Sequence, residues 1–227
     1  MYQGKRILGL ITARGGSKGI PRKNLVEVGD KPLIGWTIDA ARNSKLLDRL
    51  VLSTDDEEIA AVAHALGCEI PFMRPPELAA DASGSAEVVL DCLQRLPEYD
   101  YLVLLQPTSP LRTVDDIDGA IRVCLDSQAP ACVSVCDVEE SPFWMYTLEA
   151  SGGLKPILAN RYARRQELPP VYVLNGAVYV ADTRWFATNR GFLGEGTIAY
   201  VMPRSRSLDI DTPADLQAFR QHLDANG

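Results

Sequence analysis

Short apolar runs alternate with amphipathic stretches through the first 137 residues. Arg6–Thr12, Arg49–Ser53, Tyr101–Leu105 and Ala131–Asp137 have the length and composition of buried strands. Between them Pro32–Ser44, Glu57–Leu66, Ser85–Leu96 and Thr113–Asp126 have helical spacing, and in the first of these Leu33, Ile34, Ile38 and Ala41 share one face. Asp55 and Asp56 stand where a helix start wants a cap, Gly67 where that helix wants to stop, and Asp115 and Asp116 where a first turn favours carboxylates. Apolar strands separated by such helices predict an α/β fold in three layers, with a mostly parallel sheet covered on both faces. Ligands of such sheets bind beyond the carboxyl ends of the strands. Attention therefore falls on the segments after Thr12, Ser53, Leu105 and Asp137.

The rhythm breaks between Val138 and about Pro170. Pro142, Gly152, Gly153, Pro156, Pro169 and Pro170 interrupt any helix, Phe143, Trp144 and Tyr146 cluster, and Arg161, Arg164 and Arg165 follow. Aromatics beside arginines point to an interface or lid rather than a solvated loop. Val171–Asp182 and Thr197–Met202 read as strands again and Pro213–Asp224 as a closing helix. The expectation is one domain over residues 1–227, with an insertion at about 138–170 that supports a homodimer.

Composition narrows the partners. A net charge of −7 argues against a general nucleic-acid binder, although a local basic cluster still suits a small anion. No apolar run approaches the roughly 20 residues of a bilayer span, and Met1–Leu8 lacks a signal core, so the chain reads as cytoplasmic and without a membrane partner. Five cysteines form no CxxC pair and read as reduced core residues rather than zinc ligands.

The strongest chemical signal is Ala13-Arg-Gly-Gly-Ser-Lys-Gly-Ile-Pro-Arg-Lys-Asn24, directly after the first strand. Three glycines free backbone amides to approach a ligand, and Arg14, Lys18, Arg22 and Lys23 lie among them with no acid between Thr12 and Leu25. That combination suits a polyphosphate. A basic surface turn is the plain alternative. The loop is neither GxxxxGK[ST] nor GxGxxG, which removes a nicotinamide-dependent oxidoreductase. Asp209 and Asp211, two apart on an extended segment, face one way and suit a single hard cation, though a chance DxD is common in so acidic a chain.

The loop resembles that of the sialic-acid-activating cytidylyltransferases, the CMP-N-acylneuraminate synthetases. Four further segments agree with that family in order: Ser53-Thr-Asp-Asp-Glu-Glu58, Arg74-Pro-Pro-Glu-Leu-Ala-Ala-Asp81, Leu105-Gln-Pro-Thr-Ser-Pro-Leu-Arg112 and Ser207-Leu-Asp-Ile-Asp-Thr212. The resemblance covers nearly the whole chain. It implies a Rossmann-like nucleotidyltransferase fold and an enzyme that joins CTP to a nonulosonic acid of the N-acylneuraminate, legionaminate or pseudaminate type, releasing pyrophosphate.

Residue by residue, the resemblance implies that Arg14, Gly15, Ser17, Lys18, Lys23 and Asn24 hold the CTP phosphates and ribose. Arg74 and Ser85 would contact the cytosine and its surroundings; an N-cap is the alternative for Ser85. Gln106, Arg165, Asn175 and Tyr179 would meet the sugar, Arg165 across a dimer interface, with a plain strand position the alternative for Tyr179. Asp209 and Asp211 would hold magnesium or manganese, and Asp209 would help deprotonate the sugar hydroxyl. Arg14, Lys18, Asp209 and Asp211 form the catalytic set. Trp144 replaces a basic residue usual in sialate-specific members, and Val173-Leu174 replaces an Arg-Pro pair, so the sugar side is less polar. A deoxy, extra-acylated sugar tolerates that better than a glycerol tail. An acceptor such as Kdo, a different nucleotide, or a regulatory nucleotide-binding module without catalysis are the rival readings.

Overall fold

The structure is a computed structural model that describes residues 1–17, 19–80, 84–159 and 164–226, apart from the side chains of Arg165 and Asn226. Lys18, Asp81 and Arg161 lie outside the described residues. Its strands are β1 (Ile7–Thr12), β2 (Glu27–Val28), β3 (Lys31–Pro32), β4 (Arg49–Ser53), β5 (Tyr101–Leu105), β6 (Ala131–Asp137), β7 (Tyr146–Leu148), β8 (Leu154–Pro156), β9 (Tyr172–Asp182) and β10 (Ile198–Val201). Its helices are α1 (Leu33–Arg42), α2 (Glu57–Ala65), α3 (Ser85–Arg95), α4 (Val114–Asp126), α5 (Thr183–Asn189) and α6 (Pro213–Asn226).

Six strands form the central sheet in the order β10-β6-β9-β5-β1-β4. The β1–β4, β1–β5 and β10–β6 pairs are parallel, as the alternating pattern predicts. β9 is the exception, running antiparallel to both β5 and β6. Its residues Tyr172–Ala177 therefore lie beside the carboxyl ends of its neighbours, where Val135, Cys136 and Asp137 pair with Leu174, Val173 and Tyr172.

Both faces of the sheet are covered. One buried cluster joins Ile7, Ile11 and Val103 to Ile34 and Ile38 of α1, Ile59 of α2 and Ile117 and Ile121 of α4. The other joins Leu8, Leu10 and Leu104 to Val89 and Cys92 of α3 and Phe186 of α5. Helix boundaries follow local chemistry. Pro32 sits extended at φ −65° and ψ 154°, so α1 begins one residue later than its apolar spacing suggests. Asp56 caps α2 by accepting from the amides of Glu58 and Ile59, and Thr113 and Asp116 close a reciprocal capping box on α4. All five cysteines are buried in reduced form, and burial pushes the thiols of Cys68, Cys92, Cys124 and Cys132 up to about 12.

A third cluster joins segments far apart in the chain. Ile20 of the glycine-rich loop, Ile210 of the Asp-Ile-Asp segment and Leu216 and Phe219 of α6 pack together. Burying one such side chain is worth about 1.5–3 kcal/mol, more than an exposed ion pair returns. Apolar packing is therefore what holds the loop beside the two aspartates.

Between β6 and β9, β7 and β8 pair as a separate hairpin. Leu148 and Leu154 face each other across it and are 73% and 67% exposed, and Trp144, Met145, Tyr146, Ile157 and Leu158 are exposed beside them. Among the described residues no helix is long and apolar enough to cross a membrane.

Candidate active site

The loop after β1 and the Asp209–Asp211 segment face each other. Their shared cleft of about 300 Å³ is lined by Arg14, Ser17, Gly19, Lys23 and Asn24 from the loop, by Gln106, Pro107 and Thr108 after β5, and by Asp211. Gly19 approaches the carbonyl of Asp211 so closely that any added Cβ would strike it, which is why only glycine fits. The Lys23 ammonium donates to the Ile210 carbonyl at 2.8 Å and to Asp211 Oδ1 at 3.0 Å. Asn24 is buried and donates to the Arg14 carbonyl at 3.2 Å, so it shapes the loop from inside.

The loop is also anchored from its other side. The Gly15 amide donates to Asp55 at 3.1 Å, and the Ala13 amide to the Ser53 carbonyl at 3.1 Å, extending the β1–β4 ladder past its end. Ser53 in turn accepts from the buried Arg74, through Oγ at 3.1 Å and its carbonyl at 2.5 Å. Burial holds the Arg74 guanidinium below its usual value; Asp55 opposes this and Arg14 adds to it. Arg74 is thus fixed at the end of β4, within electrostatic reach of the loop. Ser85 is the exposed first residue of α3, where Gly84 takes the cap position without a side-chain hydrogen bond. The N-cap alternative for Ser85 therefore does not hold.

A second cleft of about 470 Å³ adjoins the first, and Asn175, Val173, Leu174, Cys136, Ser207 and Asp209 are among its lining. Asp209 opens on this cleft and Asp211 on the other, so the two do not face one way as their spacing predicts: the segment is not a regular strand, and it forms the wall between the clefts. The Ile210 amide donates to the Thr108 carbonyl at 2.8 Å, which ties that wall to the β5 loop. Burial raises the Asp209 carboxyl pKa; a Thr108 hydrogen bond opposes this, and Asp211 reinforces it.

Gly176, at φ +73°, closes the junction. A Cβ there would lie 3.2 Å from Gln106 Oε1 and 3.8 Å from Asp209 Oδ2, so the amide and the carboxylate meet at this spot, and the left-handed backbone is what favours glycine. Asn175 is buried with its amide committed: Oδ1 accepts from Ser134 at 2.6 Å and Nδ2 donates to Ser207 at 2.9 Å. It fixes the start of β9 relative to the segment that leads into Asp209. Tyr179 is half-buried against Phe192, with ring centroids 5.2 Å apart; burial raises its phenol pKa, and Asp209 adds to that.

The structure thus gathers Arg14, Ser17, Lys23, Asn24, Gln106 and Asp211 around one cleft and Asn175 and Asp209 around the next. Gly15 and Arg74 lie behind the loop, and Ser85 is apart from both linings. Lys18 and the Arg165 side chain lie outside the described residues.

Sequence reasoning gave no role to Arg112 or Arg206, both of which support the site. Arg112 is buried and donates to the carbonyls of Ala177 at 2.8 Å and Gln106 at 3.2 Å and to Thr37 Oγ1 at 2.6 Å. Arg206 grips the buried Asp116 with two bonds of 2.9 and 2.7 Å, tying the approach to Asp209 to α4. The Arg112 position ends the Leu105–Arg112 segment, which was the one available signal; nothing local marks Arg206.

Residues 8–151 match the cytidylyltransferase family. The chain is 35% identical over 97% of both sequences to a CMP-N,N'-diacetyllegionaminic acid synthase of Legionella pneumophila. It is 34% identical to a pseudaminic acid cytidylyltransferase of Campylobacter jejuni, covering 92% of each. A solved structure of CMP:2-keto-3-deoxy-manno-octonic acid synthetase complexed with CTP superposes with a TM-score of 0.76 over 98% of this chain and 100% of the other; at 16% identity it speaks for the fold alone. The chain, a nucleotidyltransferase, belongs to the cytidylyltransferase family.

Proposed function

We propose that this enzyme couples CTP to a nonulosonic acid, giving a CMP-sugar and pyrophosphate. The observation that carries this reading is the common cleft of the glycine-and-cation loop and the Asp-Ile-Asp segment, with Gly19 packed on the Asp211 backbone and Lys23 bonded to its carboxylate. The alternatives of Kdo as acceptor and of a module without catalysis are less well supported, because the relatives matching across nearly the whole chain are named for legionaminic and pseudaminic acids.

Asp209 and Asp211 open on different clefts, so a divalent cation shared by them would sit at the junction of the two. The Asp211 carboxylate adds to the effect of burial in raising the cost of charge on Asp209, and Lys23 already places a cation on Asp211. Magnesium or manganese suits two carboxylates because it keeps waters and takes substrate phosphate oxygens. When bound, it would neutralise charge on the transferring phosphoryl group and the departing pyrophosphate.

Arg14, Ser17, Lys18 and Lys23 hold the triphosphate in the first cleft, which Gly19 also lines. Asn24 keeps the loop in shape; Arg74, bonded to Ser53 behind it, and Ser85, outside both linings, would meet the base beyond the end of β4. The sugar occupies the second cleft beside Asn175 and Asp209, with Gln106 reaching it from the junction at Gly176; Tyr179 lines neither cleft and would act through its proximity to Asp209. The sugar's anomeric hydroxyl attacks the α-phosphorus in line while Asp209, whose proton affinity its surroundings raise, takes the proton. The O–P bond to the sugar forms as the bond to the β-phosphate breaks, and Arg14 and Lys18 stabilise the leaving pyrophosphate.

The apolar lining from Val173, Leu174, Leu111 and Leu208 favours a deoxy, diacylated acceptor of the legionaminate or pseudaminate type over a glycerol-tailed sialic acid. The exposed apolar hairpin supports a homodimer that brings Arg165 of one protomer to the sugar carboxylate of the other, with Arg supplying a bidentate grip. The buried reduced thiols support a cytoplasmic setting.

The test is pyrophosphate release from CTP and magnesium, with a panel of nonulosonic acids and Kdo offered in turn. Release that depends on a nonulosonic acid and falls by orders of magnitude in a folded Asp211→Asn variant is the expected result. Release with Kdo alone, or full activity of Asp211→Asn, would refute the acceptor or the metal assignment respectively.

A further inference from the structure

Of the loop cations, Arg22 is not among the residues lining the cleft. It adopts a left-handed backbone, φ 54° and ψ 33°, and its side chain reaches α2. There Nη1 donates to Asp56 Oδ2 at 2.5 Å and Nη2 to Oδ1 at 3.3 Å, and the guanidinium also pairs with Glu58. The other limb of the loop ends on the adjacent carboxylate, where the Gly15 amide donates to Asp55. Gly15 has no room for a side chain, since a Cβ would come within 2.6 Å of Asp56 Oδ2. Asp56 is itself immobilised, accepting from the Glu58 and Ile59 amides at 3.0 and 2.9 Å as the cap of α2.

We propose that Arg22 is a positioning residue: it staples the far limb of the loop to the carboxylate next to the one holding the near limb. The span between residues 15 and 22 is then set by two consecutive residues on one rigid helix end. A glycine-rich segment has much backbone freedom to lose when it closes on a ligand, and a loop held open to the right width before binding loses less. This rests on the reading that the loop receives CTP.

The experiment compares Arg22→Gln, Arg22→Lys and the unaltered enzyme by steady-state kinetics, thermal unfolding and amide hydrogen exchange without nucleotide. Arg22→Gln is expected to raise the KM for CTP about five- to tenfold with the sugar KM unchanged, since ordering is transferred to the binding step. Exchange at Gly15–Gly19 should quicken in the nucleotide-free variant, and Arg22→Lys, with a single point charge, should fall between. An unchanged CTP KM overturns the proposal. So does a raised KM with unaltered nucleotide-free exchange, which would make Arg22 a direct phosphate ligand. A loss of thermal stability together with a rise in both KM values would make it a general structural residue and also overturn the idea. Exchange is read without CTP, so failure of the nucleotide assignment would appear separately, as absent CTP binding by the unaltered enzyme.

Discussion

The ammonium of Lys23 lies 3.0 Å from Asp211 Oδ1, so a loop lysine sits on a carboxylate proposed to hold metal. Without nucleotide, lysine and a divalent cation compete for the same oxygen. Triphosphate bound as proposed would offer Lys23 another partner and release Asp211. Lys23→Met should therefore bind manganese about two- to fivefold tighter in the absence of CTP while binding CTP more weakly. Titration followed by electron paramagnetic resonance would read this, and an unaltered manganese affinity would count against the competition.

Asp116 and Arg206 make stability depend on acid. Burial raises the Asp116 pKa, but the bonds from Arg206 and Thr113 outweigh it and leave the carboxyl below its ordinary value. The folded state then binds fewer protons than the unfolded one, so the pair stabilises above the unfolded carboxylate range and ceases to as pH falls through the folded value. Arg206→Gln should cost about 1–2 kcal/mol at neutral pH, reduced from a fully buried pair because one flank of the guanidinium meets solvent. Urea unfolding at neutral and acid pH checks it: the gap to the unaltered protein should close under acid, and a constant gap would place its source elsewhere.

Arg112 links three pieces of chain near Gln106, through the carbonyls of Gln106 and Ala177 and the hydroxyl of Thr37. Lysine cannot span all three acceptors. Arg112→Lys should lose about 1–3 kcal/mol of stability and raise the sugar KM more than the CTP KM. Equal changes in both constants would separate Gln106 placement from the effect.

Leu148 and Leu154 oppose each other across the exposed hairpin. If this surface joins two protomers, Leu148→Lys with Leu154→Glu should convert a dimer to a monomer in light scattering after size exclusion. CTP affinity should survive and sugar turnover should fall. A monomeric unaltered protein would remove the assembly.

Most of the layered fold was legible because strands such as Arg49–Ser53, Tyr101–Leu105 and Ala131–Asp137 are largely buried and read as short, mainly apolar runs. The antiparallel direction of β9 was not, since pairing partners are set by tertiary contacts that Val171–Asp182 does not encode locally. α5 escaped because its seven residues are too few for helical spacing to register. The cationic loop and the two aspartates could be named from composition and spacing. Their division between two clefts could not, because it depends on how Thr108 and Ile210 join. Arg112 and Arg206 were hidden for a similar reason: an arginine in sequence does not announce which carbonyl or carboxylate it will reach.

The reversed direction of β9 has an evolutionary consequence. The chain leaves β6 and re-enters at β9 on the same end of the sheet, so the segment between them springs from the rim of the second cleft, proposed to take the sugar, and far along the chain from the loop after β1. Insertions, deletions and drift there can retune which sugar is taken while the donor half stays untouched. One scaffold can in this way diversify into a set of enzymes that share a nucleotide and differ in what they attach to it.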